Sequence, residues 1–242
     1  MLIDFCLPVK NEASLLEANV RRLFSYLTSQ PTTYHWQIII LVNGSSDDSA
    51  AIANRLAQHY PQQIKSYHYQ AGGKSLALKK YFNSSQADLL AFLDIDLAVA
   101  PEQIPELINP LLLNQADLVI GSRLVSGASS QRPLVRRLTT RFYNYFARLL
   151  FNNQVQDLQC GFKAFTAQLY QALAPDFLDN RWLFDTELII LALNANYRLI
   201  EIPVNWQEQR YASRPSQVKK SELWYFCWGL IRLRRRLNKL NQ

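Results

Sequence analysis

Short runs of Ile, Val, Leu and Phe alternate, through the first half of the chain, with longer stretches whose apolar residues recur every three to four positions. Residues 2–7, 37–42, 64–69, 88–93 and 117–120 have the length and apolar density of strands, and residues 12–28, 47–59 and 74–82 have the period of amphipathic helices. That alternation predicts an α/β fold: mostly parallel strands in an open, Rossmann-like sheet, joined by right-handed helical crossovers. Binding loops then gather at the carboxyl ends of the strands. After residue 121 the pattern loosens. A basic amphipathic helix is expected over residues 134–151, a loop over 156–163, a helix over 185–194, a strand over 199–204 and a last helix over 221–240. Prolines and glycines do not cluster into a linker, so residues 1–218 read as one compact unit and residues 219–242 as a basic, aromatic amphipathic helix that follows it.

Composition narrows the class. At 49% hydrophobic and 19% charged residues the chain can build a core, which sets it apart from disordered and disulfide-dense proteins. Cys6, Cys160 and Cys227 are odd in number and form no C-x-x-C pair, so neither a disulfide framework nor a zinc site is expected, and a reducing cytoplasm fits. Residues 1–7 contain Asp4 and are unlike a signal peptide. The apolar run at 224–231 is well short of the ~20 residues that span a bilayer. The net charge of +7 is concentrated: residues 132–148 hold five arginines and no acid, and residues 219–242 hold seven lysines and arginines against Glu222. Such segregation predicts contact with an anionic surface on one side, either phospholipid headgroups or nucleic acid.

The sharpest chemical signal is Asp94-Ile95-Asp96, two acids at the end of an apolar strand. Oxygen ligands suit Mg²⁺ or Mn²⁺, and a metal so held bridges two phosphates and neutralises a leaving diphosphate. Taken alone, two acids at this spacing are as readily caps of a following helix, but ligands of α/β sheets bind at strand ends. Upstream, Val42-Asn43-Gly44-Ser45-Ser46-Asp47 is a turn in which Asp47 can cap a helix and Asn43 can offer both a donor and an acceptor to a planar base. Gly72-Gly73-Lys74-Ser75 places Lys74 near donor phosphates but lacks the frame of a P-loop, which argues against an ATPase.

These residues resemble the family 2 glycosyltransferases, and among them the dolichyl- and polyprenyl-phosphate sugar synthases. The family's L-P-x-x-N-E loop appears as Leu7-Pro8-Val9-Lys10-Asn11-Glu12, its D-D-G-S-x-D turn as residues 42–47, its G-K-G as Gly73-Lys74-Ser75 and its D-x-D as Asp94-Ile95-Asp96. G-S-R follows as Gly121-Ser122-Arg123, and an R-x-x-x-S on the acceptor side as Arg136 and Thr140. Residues 157–163, Asp-Leu-Gln-Cys-Gly-Phe-Lys, match D-x-Q-C-G-F-K, and residues 184–187 and 201–204 match F-D-x-E and E-x-P-V. The resemblance implies a GT-A fold, a nucleotide-diphosphate sugar donor of UDP or GDP type, and Mg²⁺ or Mn²⁺. It also implies transfer with inversion to a polyprenyl phosphate. Pro8, Val9, Asn11, Glu12, Asn43, Asp47 and Lys74 would surround the nucleotide sugar; Asp94 and Asp96 would hold the metal and diphosphate; Arg123, Arg136, Thr140 and Arg210 would meet donor or acceptor phosphates.

Several positions depart from the family pattern: both acids of the D-D-G turn are replaced, by Val42 and Asn43, the second glycine of G-K-G is Ser75, and the S-K-[LV] near the end reads Ser216-Gln217-Val218. A phosphate acceptor is already anionic and needs no general base, whereas a hydroxyl on a cell-surface glycan would need one, for which Asp157 is the candidate. The aromatic, cationic segments at 134–151 and 224–239 predict a lipid-chain groove and a helix in the headgroup plane, hence a peripheral place on the cytoplasmic face of a membrane, with a transmembrane partner protein a further expectation. Of the rival readings, a nucleotidyltransferase would open with a glycine-rich loop unlike residues 8–12. A nucleic-acid binder would not set acids at its strand ends, so no nucleic-acid partner is expected. A degenerate, non-catalytic nucleotide-sugar-binding protein is disfavoured by the retention of Asp94, Asp96 and Arg123.

Overall fold

The computed structural model describes residues 1–180, 183–207 and 222–240. Its first half alternates β1 (Leu2–Val9), α1 (Ala13–Ser29), β2 (His35–Asn43), α2 (Ser49–His59), β3 (Ile64–Tyr69), α3 (Lys74–Phe82), β4 (Leu89–Leu93), α4 (Ile104–Leu112) and β5 (Leu118–Ser122). Then come β6 (Ser129–Gln131), α5 (Leu134–Phe151), β7 (Phe162–Thr166), α6 (Ala167–Leu173), α7 (Phe184–Asn194), β8 (Leu199–Pro203), β9 (Asn205–Gln207) and α8 (Glu222–Leu240). Seven strands form one sheet in the order β3-β2-β1-β4-β7-β5-β8, parallel except for β7, which runs antiparallel between β4 and β5. A small parallel pair, β6 with β9, stands apart from it.

The strands are continuous apolar runs because both faces of the sheet are covered. In β2, Ile38, Ile40 and Val42 pack into one core with Leu16, Val20 and Leu23 of α1 and Leu107 of α4, while Ile39 and Leu41 point into a second core. That second core takes Leu78 of α3, Tyr143 and Ala147 of α5, Phe184 and Leu188 of α7, and Leu230, Leu233 and Leu237 of α8.

The sequence pattern anticipates β1 to β5, α1 to α3, α5, α7 and β8 to within a few residues. It misses β7, which begins inside the expected loop: a buried Lys163 interrupts the apolar run that would have marked a strand. It also misses α4, because Pro105 and Pro110 read as breakers; Pro105 sits in the first turn, where proline is tolerated, and Pro110 lies inside the helix.

Candidate functional site

Three loops meet at the carboxyl ends of β1, β2 and β3. The Ser45 hydroxyl accepts from the Asn11 amide at 3.1 Å, the Asn11 side chain accepts from the Ser46 amide at 2.8 Å, and the Ser49 hydroxyl accepts from the Glu12 amide at 3.0 Å. Asp47 accepts from the Ala13 amide at 3.0 Å and from the Ser49 amide at 3.1 Å. Its partial burial works against the carboxylate, but these hydrogen bonds outweigh it and hold the group below the ordinary range. Gly44 has φ +63°, and a Cβ there would lie 2.9 Å from the backbone of Gly72, so the β2 and β3 loops touch only because that position has no side chain.

Asn43 is placed differently from the sequence expectation. It is buried, its amide group donates to the Val9 carbonyl at 2.9 Å and the Leu41 carbonyl at 3.3 Å, and its oxygen accepts from the Gly73 amide at 3.1 Å. Both ends of the amide are therefore engaged in joining the loops, with both N–H donors spent on backbone carbonyls. Pro8 is half-buried, and Val9 is buried with its carbonyl turned to Asn43.

Asp94 and Asp96 follow β4, and a row of alternating charge leads to them. Lys163, fully buried on β7, pairs with Asp185 of α7 at 2.6 Å and also donates to the Cys160 carbonyl; Asp185 lies 3.8 Å from Lys74; and Lys74 pairs with Asp94 at 3.0 Å. Both ammonium groups stand over the ring of Phe92, at 5.1 and 5.5 Å from its centroid. Burial disfavours the charge on Lys74, but Asp185 and Asp94 more than reverse this and raise its pKa. Asp96 is buried and accepts from the Ala98 amide at 3.2 Å. The Asp94 carboxylate lies against Gly161, where a Cβ would come within 2.2 Å of an oxygen. Two carboxylates are a sparse cage. Among the described residues no cluster of three or more His, Cys, Asp and Glu surrounds them, which suits a cation that takes its other ligands from phosphate and water. Lys74 already sets a cation against Asp94, and the all-oxygen donor set fits Mg²⁺ or Mn²⁺.

Beside the acids lies a pocket of about 190 Å³ with an unusual lining: Arg123, Arg132, Arg137, Arg141, Ser130 and Thr140 contribute its polar groups. Arg123 follows β5 and is clamped by Asp157, Nε to one oxygen at 2.6 Å and Nη2 to the other at 2.8 Å. The Trp206 ring of β9 lies 4.9 Å from the Arg123 guanidinium carbon and 5.8 Å from that of Arg132. Arg132 reaches the Thr140 hydroxyl at 3.4 Å, yet its Nε, the Ser130 hydroxyl and the Trp206 ring nitrogen are buried with no hydrogen-bond partner among the described residues. Burial first, then repulsion from Arg123, pushes the Arg132 pKa down to about 10. A cluster of arginines at close quarters carries the charge that suits an anion.

Asp157 calls for a correction. It is fully buried with both oxygens held by Arg123; burial would raise its pKa, but the arginine's charge and hydrogen bonds keep it below the ordinary range. A carboxylate so engaged anchors Arg123 and is no proton acceptor. Arg136 is half-buried near Arg132, while the pocket wall itself comes from Arg137 and Arg141. Arg210, with residues 216–219, falls outside the described residues. The roles of Lys163 and Asp185 were hidden in the sequence because their contacts are with each other across 22 positions. The one available signal for Arg132, Arg137 and Arg141 was a run of arginines without an acid.

Comparison with known proteins gives this geometry a context. The model of "Glycosyl transferase family 2" matches residues 4–173. Glycosyltransferase AglD of Haloferax volcanii is 34% identical over 206 residues, covering 85% of this chain and 33% of that protein. Dolichyl-phosphate beta-glucosyltransferase ALG5C of Trichomonas vaginalis is 27% identical over 84% of this chain and 63% of its own length. The human dolichyl-phosphate beta-glucosyltransferase is also 27% identical, over 85% of this chain and 67% of its own length. The chain thus spans between about a third and two thirds of these relatives. Among solved structures, glucosyl-3-phosphoglycerate synthase from Mycobacterium tuberculosis, in complex with Mn²⁺, UDP and phosphoglyceric acid, superposes with a TM-score of 0.70 at 20% identity, over 96% of this chain and 76% of that one. The fold is of the GT-A type.

Proposed function

The chain belongs to glycosyl transferase family 2, and from that premise we propose that it transfers a sugar, glucose in the first instance, from a UDP-sugar to the phosphate of a polyprenyl lipid. This would take place at the cytoplasmic face of a membrane. The names of the relatives support the lipid-phosphate acceptor and glucose, and the UDP bound in the structural neighbour supports the donor. The observation that carries the proposal is the adjacency of two opposite sites. A pair of acids after β4 lies close to a pocket lined by four arginines, and Arg123 feels the charge of Asp94 as well as that of Asp157.

On this reading Pro8, Val9, Asn11, Glu12 and Asp47 frame the nucleotide, with Asn43 bracing the frame, and residues 1–218 form the catalytic unit. Asp94 and Asp96 would hold Mg²⁺ or Mn²⁺, which, when bound, neutralises the diphosphate as the glycosyl bond breaks. Lys74, drawn to Asp94 before the donor arrives, is placed to turn to a diphosphate oxygen. Arg123 is fixed by Asp157 and Trp206, so its charge is aimed without reorganisation, the condition under which such groups contribute most. Arg132, Arg137, Arg141 and Thr140 gather the acceptor phosphate. Because that phosphate attacks as an anion, no protein base is required, and the enzyme's work is to overcome repulsion between two anions and align them.

Donor binding tests the first half of this. UDP-glucose with Mn²⁺ should raise the melting temperature, GDP-sugars should raise it less, and a chelator should remove the shift, since a ligand of the folded state stabilises it by an amount that grows with the logarithm of its concentration over its dissociation constant. Absence of a shift with every UDP- and GDP-sugar would overturn the donor assignment.

A further inference from the structure

Helix α5 turns its apolar stripe to solvent. Leu134, Leu138, Phe142, Tyr145 and Leu149 are each more than half exposed, although large apolar side chains are usually covered. At 3.6 residues per turn these five fall within an arc of about 80° along a helix about 27 Å long. The opposite side of the helix, with Tyr143 and Ala147, is the one buried in the core. Arg137, Arg141 and Arg148 occupy the sector next to the stripe, within about 60° of its edge, and α5 contains no acid. The helix therefore has three faces: one in the core, one apolar and exposed, and one cationic between them. Two of those arginines, Arg137 and Arg141, also line the anion pocket.

We propose that α5 lies in the headgroup plane of an anionic bilayer, with its stripe among the acyl chains and Arg148 on lipid phosphates. In that attitude the mouth of the arginine pocket faces the level at which lipid phosphate groups lie. An exposed apolar stripe edged by cations, with no acid on the helix, is the pattern of an in-plane helix at an anionic surface. The inference deepens the membrane-surface part of the proposed function, and its test reads binding rather than transfer, so the two can fail separately. It differs from the sequence expectation for 134–151, a groove around a lipid chain, because the apolar residues point outward.

The test is flotation of the full chain with phosphatidylcholine vesicles and with vesicles that also contain phosphatidylglycerol. The wild type should bind the anionic vesicles and bind the neutral ones much less. The double substitution Leu138→Glu with Phe142→Glu, at two exposed positions, should keep the wild-type melting temperature and lose at least about tenfold in vesicle affinity. Arg148→Glu should weaken binding to anionic vesicles selectively. In a Phe142→Trp variant, which keeps the stripe apolar, indole fluorescence should be quenched by brominated acyl chains. Unchanged flotation of the double variant, or an unquenched indole in the Trp variant, would overturn the proposal. So would loss of binding only when Trp224 and Trp228 of α8 are replaced by Ser, which would assign the contact to α8. A concentration-dependent dimer that the Glu pair dissolves, with no vesicle binding by the wild type, would make this face an interface between copies.

Discussion

Arg132 is a single side chain held in unfavourable surroundings. Arg123 and Arg136 repel it, its Nε has no partner among the described residues, and its pKa is pushed down to about 10. A cation whose folded pKa lies below its unfolded value is a destabilising charge at any pH below about 10, and the cost is relieved as pH rises further. Arg132→Gln should therefore raise the melting temperature of the ligand-free protein, by the equivalent of about 1–2 kcal/mol, while weakening the acceptor phosphate about tenfold or more. A lower melting temperature would show that the arginine is satisfied. For the wild type, acceptor affinity should fall as pH rises through about 10, seen as a rising KM with little change in kcat. Asp157 behaves in the opposite sense. Its folded pKa is depressed, so its contribution to stability is present above the unfolded value of about 3.9 and is lost as pH falls through the folded one. Asp157→Asn leaves Arg123 buried without its counter-charge and should cost roughly 3–5 kcal/mol in urea unfolding. Full stability together with a vanished acid limb in the pH–rate profile would restore Asp157 as a base.

Among the elements, β7 explains most about why the site is where it is, and it was the least legible in the sequence. It enters the sheet antiparallel between β4 and β5, so its amino end lies beside the carboxyl end of β4, and Gly161 meets Asp94 there. Gly161→Ala should leave the sheet assembled but displace the Asp94 carboxylate. The expected result is a loss of transfer of about a hundredfold or more, with metal-dependent UDP binding weakened and the melting temperature lowered by only a few degrees. Wild-type activity would show that the close approach is incidental. The acids, the G-S-R arginine and the paired loops could be anticipated because each lies where an apolar strand stops, a local signal that a sequence displays. Lys163 with Asp185, the Asn43 bridge and the clamp of Asp157 on Arg123 join positions 22 to 34 residues apart, and no local pattern encodes such pairings. The outward stripe of α5 illustrates the same limit: periodicity identified an apolar face but not whether that face points into the core.

For the whole molecule, charge and apolar surface are sorted by side. Asp94 and Asp96 follow β4, with Lys74 paired to Asp94. The basic residues gather on α5 and α8, which pack together through Tyr143 and Phe226, ring centroids 5.6 Å apart. Among the described residues no helix is long and apolar enough to cross a membrane. Coupling between these two sides is tested directly by one measurement: formation of polyprenyl-phosphate glucose from UDP-glucose, Mn²⁺ and a short polyprenyl phosphate, followed by mass spectrometry. Wild-type protein should form the product, and Asp96→Asn should form it at least about a hundredfold more slowly at an unchanged melting temperature. No product from folded, donor-binding protein, or an Asp96→Asn variant as active as the wild type, would contradict it.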